Sequence, residues 1–120
     1  MSETAIRELD WYLRDHLFRQ SNAGKAAFRQ ESLPREMAAL YLRYRNADLQ
    51  QLSETMIPVL ESLIARNVLE HHGTEFKLRG ILVRFQCAKC FYINYLTEAE
   101  QRACLRCQHN ELHEFPRKKA

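Results

Sequence analysis

The sequence predicts an α+β protein: a small, mainly helical unit over residues 1–80, a metal-stapled β unit over 81–116 and a basic tail over 117–120. Three observations predict it. Apolar residues recur at helical spacing through the first half, they alternate with a period of two through much of the last third, and all four cysteines fall there in two C-x-x-C pairs. A chain of 120 residues has room for one ordinary domain, or for a helical domain with such a module attached.

In residues 3–20, Ile6, Leu9, Leu13 and Leu17 form the stripe of an amphipathic helix, widened by Trp11, Tyr12 and Phe18. The turn-favouring residues 21–24, Ser-Asn-Ala-Gly, end it. A second helix follows Ser32-Leu33-Pro34, where a capping serine and an early proline suit a first turn, and runs to about Asn46 with Met37, Leu40, Tyr41 and Tyr44 on one side. Over residues 47–66 the stripe continues through Leu49, Leu52, Met56, Leu60 and Leu63, but Pro58 cannot donate a backbone hydrogen bond and clashes one turn back. The expectation is a short helix over 47–52 and a longer one ending near Arg66, its start set by Ser53 or Pro58. Val68-Leu69 and the run to Leu78 then flank Gly73 as a β-hairpin.

Charge and composition exclude several classes. Residues 1–80 carry eleven basic and eleven acidic side chains, whereas 81–120 carry seven and four, so the whole net charge of +3 lies in the last third. No stretch approaches the roughly 18 apolar residues of a membrane span, and Met1-Ser2-Glu3 does not open a signal peptide. A cytoplasmic protein is expected, a compartment where paired cysteines signify metal more often than disulfides.

The strongest chemistry is Cys87-Ala88-Lys89-Cys90 with Cys104-Leu105-Arg106-Cys107. Each pair presents two thiolates to one metal, and four sulfur ligands suit one structural Zn2+ with no open position for a reacting water. Around them Ile81, Val83 and Phe85 alternate into the first pair, Phe91, Ile93 and Tyr95 alternate out of it, and Leu112 with Phe115 supplies a last strand. Thr97-Glu98-Ala99-Glu100 has the form of a capping box and predicts one helical turn. His109 and His113 stand near the cysteines as spectators, and His71 and His72 as surface residues of the hairpin.

These cysteines and strands resemble the zinc-ribbon family across about thirty-five residues, although Phe91 and Gln108 stand where a glycine usually follows each knuckle. Helix, short helix, helix and hairpin resemble a winged helix-turn-helix domain over residues 34–80, with the line from Ile57 through Arg66 to Gly73 as recognition helix and wing. That resemblance implies DNA contacts from residues 53–66, yet Glu54 and Glu61 leave that segment with only Arg66 as a base. The module order is similar to that of the alpha chain of general transcription factor E, which implies a role beside a polymerase, as an analogy of architecture alone.

No enzyme is expected. Ala23-Gly24-Lys25 lacks the first glycine and the hydroxyl residue of a phosphate loop, and with the cysteines on metal no nucleophilic triad remains. The sequence points to a transcription-linked binding protein without a small-molecule substrate or a membrane. Its candidate nucleic-acid contacts are Arg84, Lys89, Tyr92, Arg102, Arg106, Arg117, Lys118 and Lys119, with ring stacking on the aromatics of the β unit. The alternative is a protein–protein adaptor, in which the aromatics of the first helix meet a partner or form a homodimer.

Overall fold

A computed structural model of the protein describes residues 3–115. Helix α1 (Glu3–Asn22) carries the expected stripe, with Leu9, Leu13 and Leu17 buried. Arg14, Asp15 and His16 are buried too, so α1 is covered on more than its apolar side. Strand β1 (Ala27–Arg29) follows, a three-residue element with no signal in the sequence.

Helix α2 (Leu33–Leu40) begins with Pro34 in its first turn, as expected, but Ser32 makes no side-chain cap bond. The helix ends well before Asn46. Tyr41 leaves it in an extended conformation, and a single 3-10 turn, Leu42–Tyr44, follows. The break sets the rings of Tyr41 and Tyr44 against Tyr12 of α1, each 5.3 Å away between centroids. Such edge-on aromatic pairs are worth about 0.5–1.5 kcal/mol beyond the area they bury, enough to outweigh another turn of helix.

Helix α3 (Leu49–Ala65) is continuous, which corrects the expectation of two pieces. Its cap is Asp48, whose carboxylate accepts hydrogen bonds from the N–H groups of Gln50 and Gln51 at 2.9 and 3.2 Å, so neither Ser53 nor Pro58 starts a helix. Pro58 lies inside. A proline there has no N–H to donate to the carbonyl of Glu54, an exposed residue one turn back. The C-terminus closes on Asn67 at φ +62°, with Val68 N–H donating to the Leu63 carbonyl and Asn67 N–H to that of Ile64. This left-handed cap turns the chain directly into the next strand.

Strands β2 (Leu69–His72) and β3 (Glu75–Leu78) form the expected hairpin about Gly73, and β1 pairs with the other side of β3, giving the antiparallel order β1-β3-β2. A second antiparallel sheet, order β5-β4-β6, is built from β4 (Val83–Cys87), β5 (Ile93–Leu96) and β6 (Leu112–Glu114). Arg84 stands opposite Tyr95 and Cys87 opposite Leu112. The helical turn expected over 97–100 is a plain turn, with half of the capping box formed: Thr97 N–H donates to Glu100 Oε1 at 3.1 Å.

The larger hydrophobic core joins the three helices and the first sheet and also takes in Leu82 and Tyr95 from the second half. A smaller one holds Phe85, Cys87, Leu96, Cys104 and Leu112. Among the described residues no helix is long and apolar enough to cross a membrane.

Candidate metal centre

The two C-x-x-C segments fold as the same device. In each, the carbonyl of the first cysteine accepts from the N–H four residues on, Phe91 to Cys87 at 3.0 Å and Gln108 to Cys104 at 2.9 Å. The N–H two residues on, from Lys89 or Arg106, points at the first sulfur at 3.4 Å. Phe91 and Gln108 have φ of +64° and +65°. These are the positions where a glycine was missed in the sequence, and the backbone adopts the left-handed turn without one.

This doubling brings four sulfurs together. The Sγ atoms of Cys87, Cys90, Cys104 and Cys107 all lie within 4.8 Å of one another, with Cys87 to Cys107 at 3.5 Å and Cys90 to Cys104 at 3.6 Å. A tetrahedral ion with metal–sulfur bonds of about 2.3 Å has sulfur–sulfur edges of about 3.8 Å, so the cluster matches that donor set. All four thiols are free, at separations well beyond the roughly 2.05 Å of a disulfide.

Electrostatics make the same demand. Burial pushes the Cys104 thiol up, but N–H groups of Cys107 and Arg106 and the Asn94 side chain outweigh it and hold it at about 6. Cys87 is also lowered, its burial outweighed by the N–H groups of Cys90 and Lys89. Cys90 receives the Tyr92 N–H, which lowers it, yet burial and the other three sulfurs carry it up to about 12. Sulfurs this close favour some thiolates at the expense of the rest, and a bound cation removes that conflict. His109 and His113 pair instead with Glu111, at 3.8 and 3.5 Å.

Asn94 is a site residue that the sequence reading missed. Wholly buried on β5, it donates to Cys104 Sγ at 3.6 Å and to the Tyr92 carbonyl, and its Oδ1 accepts the Leu105 N–H at 2.8 Å. One side chain thus ties the strand to the second knuckle. The available signal was a polar residue at an inward position of an apolar strand.

Helix α1 clamps this sheet from its other face. Arg14 forks onto Glu100, with both bonds at 2.8 Å, donates to the Tyr95 carbonyl and reaches Asp10 at 3.0 Å. Asp15 accepts from the Tyr95 and Tyr41 hydroxyls and from Arg19, while Trp11 Nε1 donates to the Ile93 carbonyl at 2.7 Å. Burial pushes the Glu100 carboxyl up, but the Arg14 fork and the Thr97 N–H hold it below the usual range. Trp11, Tyr12 and Phe18, the aromatics that suggested a partner surface, pack within the chain against Tyr95, Tyr41 and Tyr44.

The candidate nucleic-acid residues are scattered. Arg84 is held between the rings of Phe18 and Phe115 and donates to the Phe115 carbonyl. Tyr92 is half-buried with Arg106 over its ring, and Arg102 lies over Phe85. Lys89 is exposed. Arg117, Lys118 and Lys119 lie outside the described residues. His71 stacks on Phe76 and His72 pairs with Glu70, so the two share no ligand site. No protein-family model, curated protein or solved structure matches the chain.

Proposed function

We propose that the protein is a non-enzymatic, zinc-stabilised binding component of a transcription-linked assembly, engaging macromolecules through its surface. The observation that carries the reading is the four-sulfur cluster: with every position of a tetrahedral ion filled by protein, the metal has a structural role and no site for substrate. Sulfur donors in this geometry favour Zn2+ over ions that prefer oxygen. The three helices followed by a hairpin support the winged-helix reading, and the twin knuckles with a three-stranded sheet support the zinc-ribbon reading.

Equilibrium binding of the zinc-loaded protein to labelled single- and double-stranded DNA and RNA across a salt series tests it. Affinity that falls linearly with the logarithm of salt, and falls further on charge reversal of Arg102 and Arg106, is the expected result. A second reading, a protein adaptor, is favoured by one feature: the outward face of α3 presents Glu54, Ile57 and Glu61, an acidic and apolar surface that repels phosphate. Absence of nucleic-acid binding at low salt by a folded, zinc-replete sample selects that reading.

A further inference from the structure

We infer that the outward side of α3 is the interface of a symmetric dimer, packed antiparallel against the same side of a second copy about a two-fold axis at Ser53. This goes beyond the proposed function and does not depend on nucleic acid. Four of the seven exposed large apolar side chains among the described residues, Leu40, Leu42, Leu49 and Ile57, fall between residues 40 and 57. Apolar residues scattered singly over a surface are ordinary, whereas a run of four marks a contact.

Local structure gathers them. Residues three apart eclipse in a 3-10 turn, so the same turn that sends Tyr41 and Tyr44 inward to Tyr12 sends Leu42 and Arg45 outward together. The N–H groups of Arg45 and Ala47 donate to the carbonyls of Leu42 and Tyr44 at 3.3 and 3.1 Å. Those tight turns keep Leu42 and Arg45 close to the start of α3, where Leu49 is exposed. From there Ser53, Ile57 and Glu61, all exposed, follow at four-residue steps along one side of the helix.

Charge selects a second copy as the occupant. Residues 37–47 contain no Asp or Glu, and α3 contains no Lys, Arg or His. Arg45 and Glu61 make no ion pair among the described residues, whereas the adjacent Arg43 is held by Glu8 at 2.9 Å. A strip that is basic at one end, apolar in the middle and acidic at the other is its own complement when reversed. Reversal about Ser53 sets Leu49 on the other copy's Ile57, each four residues from the axis, and Arg45 on its Glu61, each eight residues away. The small side chain of Ser53 at the crossing lets two helices approach to about 8–10 Å. Glu54, one residue on and about 100° round the helix, stays at the wet rim.

The test is sedimentation equilibrium of the zinc-loaded full chain over a range of concentrations and salt. A monomer–dimer equilibrium in the micromolar range, weaker as salt rises, is expected. Ile57→Gln, which suits an exposed helix, is expected to weaken the dimer at least about ten-fold, because the loss is counted twice across a two-fold. Arg45→Glu and Glu61→Arg are each expected to weaken it at least about ten-fold. Mixing those two charge variants in equal parts is expected to restore a dimer, since both contacts of the mixed pair again join opposite charges, a rescue that misfolded variants cannot give. A chain that stays monomeric up to millimolar concentration overturns the inference. So does a dimer indifferent to all three changes, or a mixture of the charge variants that stays monomeric. Association beyond the dimer overturns the two-fold arrangement. Each of these outcomes leaves the proposed function standing, because its salt-series titration reads Arg102 and Arg106.

Discussion

The helical half and the cysteine-bearing half reach stability by different routes. Three helices and the first sheet enclose a core of leucines, Phe28, Met37, Met56 and Phe76, ordinary apolar packing in which each large side chain contributes about 1.5–3 kcal/mol. The second sheet has a cluster of five, two of them cysteines. So small a cluster cannot offset the ordering of some thirty residues at roughly 1–2 kcal/mol of backbone entropy each. Two devices can make up the difference: a four-cysteine cluster with the geometry to hold a metal ion, and a clamp to α1 formed by the buried Arg14–Glu100 pair and the Tyr95 hydroxyl on Asp15. A module poor in apolar material gathers four sulfur donors on one face and leans on a helix on the other.

Removing the metal breaks the comparison most severely. Binding at such sites is worth about 10–16 kcal/mol, so chelation or Cys104→Ser is expected to unfold the second sheet while α2, α3 and the first sheet persist. Circular dichroism retaining most of its helical signal, with a red shift of Trp11 fluorescence, checks this.

Next comes the clamp. Arg14→Leu leaves Glu100 buried without its fork and is expected to cost about 3–5 kcal/mol in urea unfolding, whereas the double variant with Glu100→Leu costs less than Arg14→Leu alone. If the single change costs under about 1 kcal/mol, the surface-pair range, the ion pair does not hold the sheet on α1.

A smaller effect belongs to the helical half alone. Burial lowers the His16 pKa against the opposing pull of Glu36, with Lys25 and Asp15 as the other charges acting on it. A histidine whose folded value lies below its unfolded value, near 6.5, has its full stability above that pH and loses it as pH falls through 6.5 toward the lower folded value. His16→Phe is expected to flatten this part of the stability profile, and an unchanged difference between the two proteins from pH 7.5 to 5 contradicts it. Smallest is Gln108→Gly, which relieves a left-handed residue and is expected to stabilise the zinc-bound protein by up to about 1 kcal/mol in urea melts.

The parts legible in the sequence were those with a strict period or a strict spacing: the α1 stripe, the hairpin about Gly73 and the cysteine pairs. Local signals failed where tertiary contacts decided. Pro58 resembles a helix start, yet it lies within α3, with Glu54 one turn back exposed, and Asp48 is the actual cap. Arg14 and Asp15 have the composition of a solvent face, and only Tyr95 and Glu100 across the junction make their burial sensible, while His16 is covered by Phe28 and Tyr41. Strand alternation over Phe91, Ile93 and Tyr95 has no room for a left-handed turn ahead of the strand, nor does it single out the buried amide of Asn94 that serves a knuckle.

The central claim, that one ion orders the second sheet while the helices stand without it, is tested most directly by amide hydrogen exchange on the full chain with and without a chelator. The account predicts that protection over residues 83–114 collapses on chelation while that of α3 and the first sheet remains. Persisting protection over 83–114, or loss of both halves in one step, would contradict it.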